Sequence, residues 1–375
     1  MLSYALNDFD VKRLQYVQGK IHEASVYLTR LGPVEKQAIH HHARISNIGA
    51  STRIENAVLT NTEIDWMDTM LSSDGRPSAF EAHKESIENK LSKDKERSIE
   101  EVAGCREMLQ MVYEQGKAMR PFREIDLRQL YTSLLRYYPG AIHYLGSYKI
   151  APNSVVSKNR RTGETKSILK TADPGLQTQI SMQALMDWYN EAVEEHPWTL
   201  AIASEFVFRF LAIHPFQDGN GRMGRALFLL ACLQGGNREL AMVAPYIAID
   251  RHIEQNRQDY YMALRLCSDG QYYEDPVQYK INHFLSFMLR VVGDAVGDIV
   301  FYHQKHLIVS QLSTKALTIL QSFRDNPQLR LRTGVIAELT GLPERTIRYQ
   351  LTNLIKKALI QASGDGSAKV YQLIF

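Results

Sequence analysis

The chain of 375 residues is 45% hydrophobic and 23% charged, the balance of a globular protein with room for two or three domains. Its 44 Lys/Arg against 41 Asp/Glu leave a net charge of +3, too little to draw the whole molecule to nucleic acid or a membrane surface. Cys105, Cys232 and Cys267 lack metal or redox spacing, MLSYALNDFDVKRLQ is no secretory signal, and no apolar run reaches the ~18 residues of a spanning helix; a reducing, cytoplasmic setting is expected.

Residues 1–70 read as mostly helical, with a break at Gly32-Pro33. His40, His41 and His42 are consecutive and cannot share a helix face as metal ligands should, so they read as solvated or packing histidines. Ser51 and Glu55 are four apart and project from one helix face. By itself S-x-x-x-E recurs by chance. Ser72–Pro77 reads as a loop, and the mixed-charge run from Glu81 to Glu101 as a solvated helix face. Helices continue over 101–137. Between Gly146 and Ile168 the pattern changes: strands around Val155-Val156 and Thr165–Ile168 flank the turn signal Arg160-Arg161-Thr162-Gly163. Helices resume from Gln179.

Within them, the apolar runs FVFRFLAI and ALFLLACL enclose HPFQDGNGRMGR, His214 to Arg225. Pro215 should restrict His214 to an extended conformation, ending the first helix and turning the imidazole out of it. Gly219, Asn220 and Gly221 permit φ > 0, so their N–H groups can line one concavity at the start of the next helix, where an anion is favoured. Arg222 and Arg225, three apart, offer two guanidinium forks for phosphate oxygens. Asp218 is a hard oxygen ligand suited to Mg²⁺ beside substrate phosphates. Phe216 is expected to anchor the loop in the core. The bland alternative is a helix–loop–helix turn around a buried histidine, but a turn needs one glycine and no ordered set of base, carboxylate and arginines.

HPFQDGNGRMGR resembles the HPFx(D/E)GNGRxxR signature of the Fic (filamentation-induced-by-cAMP) family of protein adenylyltransferases, with every fixed position present. The resemblance implies a mainly α fold: a Fic-type helical core with a β-hairpin flap. It implies ATP and Mg²⁺, with His214 as base, Asp218 holding the metal, and Gly219, Asn220, Gly221, Arg222 and Arg225 on the nucleotide. Beside such a loop, Ser51-Thr-Arg-Ile-Glu55-Asn56 resembles the family's inhibitory motif, (S/T)xxxE(G/N), in the subgroup whose inhibitory helix precedes the core. Glu55 would then pair with Arg225 and take the fork that a γ-phosphate would use. The 155–168 hairpin resembles the family's flap, in which Val155, Val156 and Ser157 would dock a target segment by strand addition; Lys149 stands where the family often has arginine. Gln258-Asp259-Tyr260-Tyr261 resembles a helix whose first tyrosine, Tyr260, lies near the adenine. Ser268 stands where an asparagine is common, and a core tyrosine is the competing reading.

Helix continues over 277–310. Lys315–Phe323, Gly334–Leu339 and Pro343–Lys357 then read as three helices, and Leu359–Ile360 with Ala368–Ile374 as a hairpin around Ser363–Gly366. IAELTGLPERTIRYQLTNLIKKALI resembles a winged helix-turn-helix. Nine Lys/Arg against four Asp/Glu give residues 313–375 a balance of +5, and Arg345, Thr346, Arg348 and Tyr349 would face a DNA groove. Such modules also dock proteins or dimerise. Three segments are expected: an N-terminal helical region at 1–110 with the inhibitory helix, a Fic core at 111–295 and a winged helix at 313–375. The resemblance implies transfer of AMP from Mg·ATP to a protein hydroxyl, on a partner or on the chain itself, with Glu55 inhibiting. The reverse removal of AMP stays open, and a homodimer is compatible. Phosphoryl or phosphocholine transfer is a second enzymatic reading, although the phosphotransferase branch typically has lysine at the position of Gly221. A nucleotide-sensing transcriptional regulator is the rival from another class.

Overall fold

The computed structural model describes all residues except 77–78 and 159–164, with the backbone alone at 158 and 367. The helices, in chain order, begin with α1 (Asp8–Thr29), α2 (Pro33–Ile54), α3 (Asn61–Asp74), α4 (Ala79–Leu91), α5 (Glu96–Gln115) and α6 (Glu124–Leu135). The hairpin β1 (Ser154–Lys158) and β2 (Thr165–Lys170) follows. Then come α7 (Leu176–Glu195), α8 (Thr199–Ile213), α9 (Asn220–Gln234), α10 (Arg238–Val243), α11 (Ile249–Gln255), α12 (Arg257–Ser268) and α13 (Asn282–Ala295). The chain closes with α14 (Asp298–Ser310), α15 (Thr314–Arg324), α16 (Thr333–Thr340), α17 (Glu344–Lys356), β3 (Ile360–Ser363) and β4 (Val370–Leu373).

Local chemistry sets several of these boundaries. Asn7 and Asp10 cap each other's backbone N–H groups at the start of α1, at 2.9 and 3.2 Å, and Thr60 with Glu63 does the same for α3. Pro33 opens α2, where its missing N–H costs nothing. The loop expected at Ser72–Pro77 is shorter than the sequence suggested: α3 runs through Ser72, Ser73 and Asp74 and stops at Gly75, whose φ of 68° is a left-handed cap. The hairpin expected between Val155 and Ile168 forms, with β2 extending to Lys170 and a register shift between Val155 and Val156; its turn, Arg160–Gly163, lies outside the described residues. His40 packs edge-on to the Tyr113 ring at 5.0 Å, a packing role in keeping with its sequence.

Two compact units emerge. One comprises Met1–Ala57 and Glu100–Ile299, the other Val58–Ile99 and Val300–Phe375. These units do not coincide with the segments 1–110, 111–295 and 313–375, because the chain leaves the first unit at 58 and returns at 100. At the heart of the first unit is α8, in which every residue except Arg209 is buried. A helix apolar all round must lie inside a core. It packs against α7, α9 and α13, while α9 also meets α2, α6, α7 and α10. Gly104 permits the close approach of α5 to α6, since a Cβ there would fall 2.0 Å from the Leu134 carbonyl oxygen. In the second unit, α15, α16, α17 and the β3–β4 hairpin enclose a core that includes Ile319, Phe323, Ile336, Ile347, Leu351 and Leu354. Leu331 forms an isolated antiparallel bridge to Tyr371 of β4.

Candidate active site

The two central helices of the first unit, α8 and α9, are joined by the polar loop at 214–219. His214 closes α8 in a left-handed conformation, φ 52° and ψ 57°, with its N–H on the Phe210 carbonyl at 2.8 Å. The extended conformation expected before Pro215 is therefore not the one adopted. The left-handed well also escapes the right-handed region that proline disfavours, and it is a common conformation for the residue that closes a helix. A non-glycine residue there costs about 1–3 kcal/mol, which the surroundings must hold in place. Nδ1 of His214 lies 3.2 Å from the Leu211 carbonyl oxygen. With Nδ1 protonated and donating to that carbonyl, Nε2 carries the lone pair. Burial pushes the imidazole pKa down to about 4, so it is neutral and able to accept a proton at pH 7.

The loop is braced from below. Phe216 is fully buried and stacks on Tyr131, with centroids 3.7 Å apart and planes at 8°. Asn220 accepts the Phe216 N–H at 2.9 Å and donates to the Phe216 carbonyl at 2.7 Å. Its amide thus braces the loop, and its backbone N–H stands in the first turn of α9. Of Gly219, Asn220 and Gly221, only Gly219 takes a positive φ, 80°. The other two stand in the first turn of α9, whose N–H groups lack intrahelical partners without needing a glycine conformation. Asp218 Oδ1 accepts the Gly219 N–H at 2.6 Å and stands 3.7 Å from Arg222 Nη2, with the side chain 43% exposed. Arg222 is buried, and its Nε and Nη1 have no hydrogen-bond partner among the described residues.

Arg225 is differently placed. Its Nε donates to Ser51 Oγ at 2.9 Å, and its Nη2 donates to the Ser51 carbonyl at 2.8 Å and to Glu55 Oε1 at 3.0 Å. Asp250 Oδ2 stands 3.8 Å from Nε. The fork is committed to the end of α2, where Glu55 is the residue that follows the last helical turn. Burial would raise the Glu55 pKa, but Arg225 and Arg222 outweigh it and hold the carboxyl below its usual range. Gly221 is what admits this carboxylate: a Cβ there would lie 2.3 Å from Glu55 Oε1. Burial pushes the Asp250 pKa up to about 6.

These groups meet in one cavity of about 200 Å³, lined by Glu55, His214, Asp218, Gly219, Gly221 and Arg225 on one side. Val155, Val156, Tyr260, Tyr261 and Leu264 line another side. That is below the ~300–1,000 Å³ usual for ligand clefts, with the Glu55 carboxylate inside it. Arg222 and Ser51 stand behind the lining. Tyr260 is buried, and its ring also packs on Phe284 and Phe287, so it is a core residue that reaches the cavity wall. Val155 is buried, Val156 exposed and Ser157 half-buried. Asp250 and Asn153 escaped the sequence reading, which singled out Tyr260 and not its neighbour Tyr261. Asp250 lies in a short helix with no motif around it, and Asn153 carries no signal beyond being polar before a strand. Among the described residues no cluster of three His, Cys, Asp or Glu could cage a metal. The donor set suits Mg²⁺ held largely by a nucleotide's own phosphates, with Asp218 as the loop's carboxylate. Arg345, Thr346, Arg348 and Tyr349 belong to α17 in the second unit. There Arg345 and Tyr349 are exposed, Thr346 is half-buried, and Arg348 pairs with Glu344 at 2.7 Å. Among the described residues, no helix is long and apolar enough to cross a membrane.

A histidine loop on the N-terminus of a buried helix, with two arginines on that helix, defines a class. Residues 121–232 match the model of the Fic/DOC family, and the matched stretch contains the whole of the loop. That family is known for transferring AMP or other phosphate-containing groups to proteins. Among solved structures the chain is similar to a Fic family protein from Desulfovibrio desulfuricans G20, at 20% identity and a TM-score of 0.54, covering 100% of this chain and 98% of that one. A Fic domain containing signaling protein from Bacteroides thetaiotaomicron VPI-5482 aligns at 20% identity and a TM-score of 0.55, over 78% of this chain and 98% of its own. Fic-1 from C. elegans aligns at 13% identity and a TM-score of 0.54, over 80% of this chain and 74% of its own. At these identities the likeness is one of fold.

Proposed function

We propose that the chain transfers AMP from ATP to a hydroxyl side chain of a protein, itself included, and that Glu55 holds this activity off. The observation that carries the reading is the contrast between the two arginines of α9: Arg222 is buried with two unpaired nitrogens, whereas the fork of Arg225 is filled by Ser51 and Glu55. Asp218 stands 3.7 Å from Arg222 Nη2, which leaves the buried Nε and Nη1 of that guanidinium without hydrogen bonds among the described residues and with donors to spare for an anion. The filled fork beside it reads as a phosphate site already taken.

In the transfer, His214 Nε2 takes the proton of the attacking hydroxyl. The hydroxyl oxygen bonds to the α-phosphorus as the bond to the pyrophosphate oxygen breaks, and pyrophosphate leaves. The α9 N-terminus and Arg222 stabilise the phosphate charge, and Asp218 would hold Mg²⁺, which supplies charge neutralisation when bound. Arg225 would take the γ-phosphate once Glu55 releases it. Gly221 favours nucleotidyl over phosphoryl transfer. Glu55→Gly should raise incorporation of label from α-labelled ATP at least tenfold, with a mass gain of one adenylyl group. An equal rate in the parent chain would refute the inhibition.

A second reading concerns residues 313–375. The three helices, the hairpin and the exposed Arg345 and Tyr349 on α17 support a winged helix that contacts DNA, with the nucleotide site as its sensor. Footprinting with the full chain tests it; protection independent of sequence would sink a regulatory role.

A further inference from the structure

Lys149 is an ammonium buried in the first unit, 2% exposed. Its Nζ donates to Asn153 Oδ1 at 2.8 Å, Thr171 Oγ1 at 3.1 Å and the Ile213 carbonyl at 2.9 Å. Asn153 precedes β1 and Thr171 follows β2, so the ammonium bridges the two ends of the hairpin. The Asn153 amide donates onward to the His214 carbonyl at 3.2 Å and the Phe216 carbonyl at 2.8 Å. The Thr171 hydroxyl donates back to Asn153. Backbone bonds repeat the attachment, Lys149 N–H to Pro215 at 2.7 Å and Ala172 N–H to Ala212 at 3.3 Å. Every carbonyl from Ala212 to Phe216 is thereby tied to a residue at the foot of the hairpin. That stretch contains the left-handed His214, the one loop conformation that needs holding.

We propose that Lys149, Asn153 and Thr171 are positioning residues that lock the foot of the β1–β2 hairpin to the histidine loop, fixing where a segment laid along β1 presents its hydroxyl to His214. The inference rests on the transfer reading. Misplacing a reacting pair by about 1 Å can cost on the order of a hundredfold in rate, and here one knot sets the position of both partners. An ammonium has three N–H groups for its three acceptors, whereas the neutral amine has two. Burial lowers the Lys149 pKa to about 8, against the attraction of Asp173; His214 also acts on it, and Arg128 and Tyr148 line with it a separate cavity of about 450 Å³.

The experiment uses the full chain carrying Glu55→Gly, with α-labelled ATP as probe and the chain as its own acceptor. Adding Lys149→Met should cut incorporation about tenfold to a hundredfold, while the Kd for a non-hydrolysable ATP analogue stays within about twofold. In the Glu55→Gly chain the rate should fall as pH rises through about 8, and Lys149→Arg, which stays protonated, should remove that alkaline fall. Undiminished incorporation with Lys149→Met, or an alkaline limb that Lys149→Arg leaves in place, overturns the proposal. Should Lys149→Met not fold, Thr171→Val decides, a fall in rate at unchanged analogue Kd supporting the knot and an unchanged rate refuting it. A Glu55→Gly chain that incorporates nothing refutes the transfer reading itself and takes this proposal with it.

Discussion

Arg222 on α9 and Arg345 on α17 carry the same guanidinium in opposite circumstances. Arg222 is 2% exposed and, among the described residues, has no hydrogen-bond partner at two of its nitrogens, whereas Arg345 is exposed. The first region sets charge where charge is expensive, around a cavity that also holds His214, Asp218 and the Glu55–Arg225 pair. The second sets charge where water already satisfies it, and its Arg348 has settled on Glu344 at 2.7 Å, a pair worth about 0.3–0.5 kcal/mol. Within the fold Arg222 has the Asp218 carboxylate at 3.7 Å and the attraction of Glu55, but a buried cation with two nitrogens short of hydrogen bonds calls for a further partner, and exposed polarity does not. The contrast therefore ranks the two regions as sites, and mutations can break the ranking.

The largest expected effect belongs to His214→Ala in the Glu55→Gly chain. Removing the base should lower labelled incorporation by about 10²–10⁴-fold, while Arg345→Ala should leave it within experimental error. Comparable losses from the two would end the ranking. Next comes stability. Phe216 is fully buried on Tyr131, so Phe216→Ala should cost about 3–5 kcal/mol in denaturant unfolding. Tyr349, 65% exposed, should cost under about 0.5 kcal/mol on the same change.

This difference also governs how much could be read before the structure. The 214–225 loop was legible because catalysis demands residue types in fixed order, and periodicity marked the buried helices on either side. Ser51 and Glu55 were legible only beside that loop, since their partner Arg225 lies 174 and 170 positions away. The conformation of His214 was misjudged because the rule about the residue before proline disfavours the right-handed region, while a helix can also be closed by a left-handed residue, which is what His214 does. Asn220 was read only for the backbone N–H it could offer an anion; that its amide also braces the loop is a role composition cannot reveal. Asp250 and the Asn153–Thr171 pair depend on distant elements converging, as does the gathering of 58–99 with 300–375 in one unit.

The titration of His214 offers a sharper and smaller test. Its folded pKa, lowered to about 4 by burial, lies below the ~6.5 of an unfolded chain. The base form should survive acidification, so the Glu55→Gly chain should hold its rate from pH 7 to about 5 and lose it toward 4. Stability should follow the opposite partner: between about 6.5 and 4 the unfolded chain binds the proton that the folded one refuses, so unfolding becomes easier as pH falls. An acid limb centred near 6.5 would mean that the imidazole is solvated, removing the claim that burial tunes it.

The smallest effect tests the second region on its own terms. Arg345→Ala combined with Tyr349→Ala should change neither the unfolding midpoint nor AMP incorporation, because both side chains are exposed and surface changes of this kind fall within about ±0.5 kcal/mol. If α17 enters a DNA groove, the same double change should weaken sequence-specific retention in a gel-shift assay by about 1–3 kcal/mol for each lost base contact. It should also flatten the salt dependence if either residue meets a phosphate. Retention that the double change leaves untouched would make the +5 balance of residues 313–375 an ordinary solvated surface, and the two regions would then differ in kind as well as in degree.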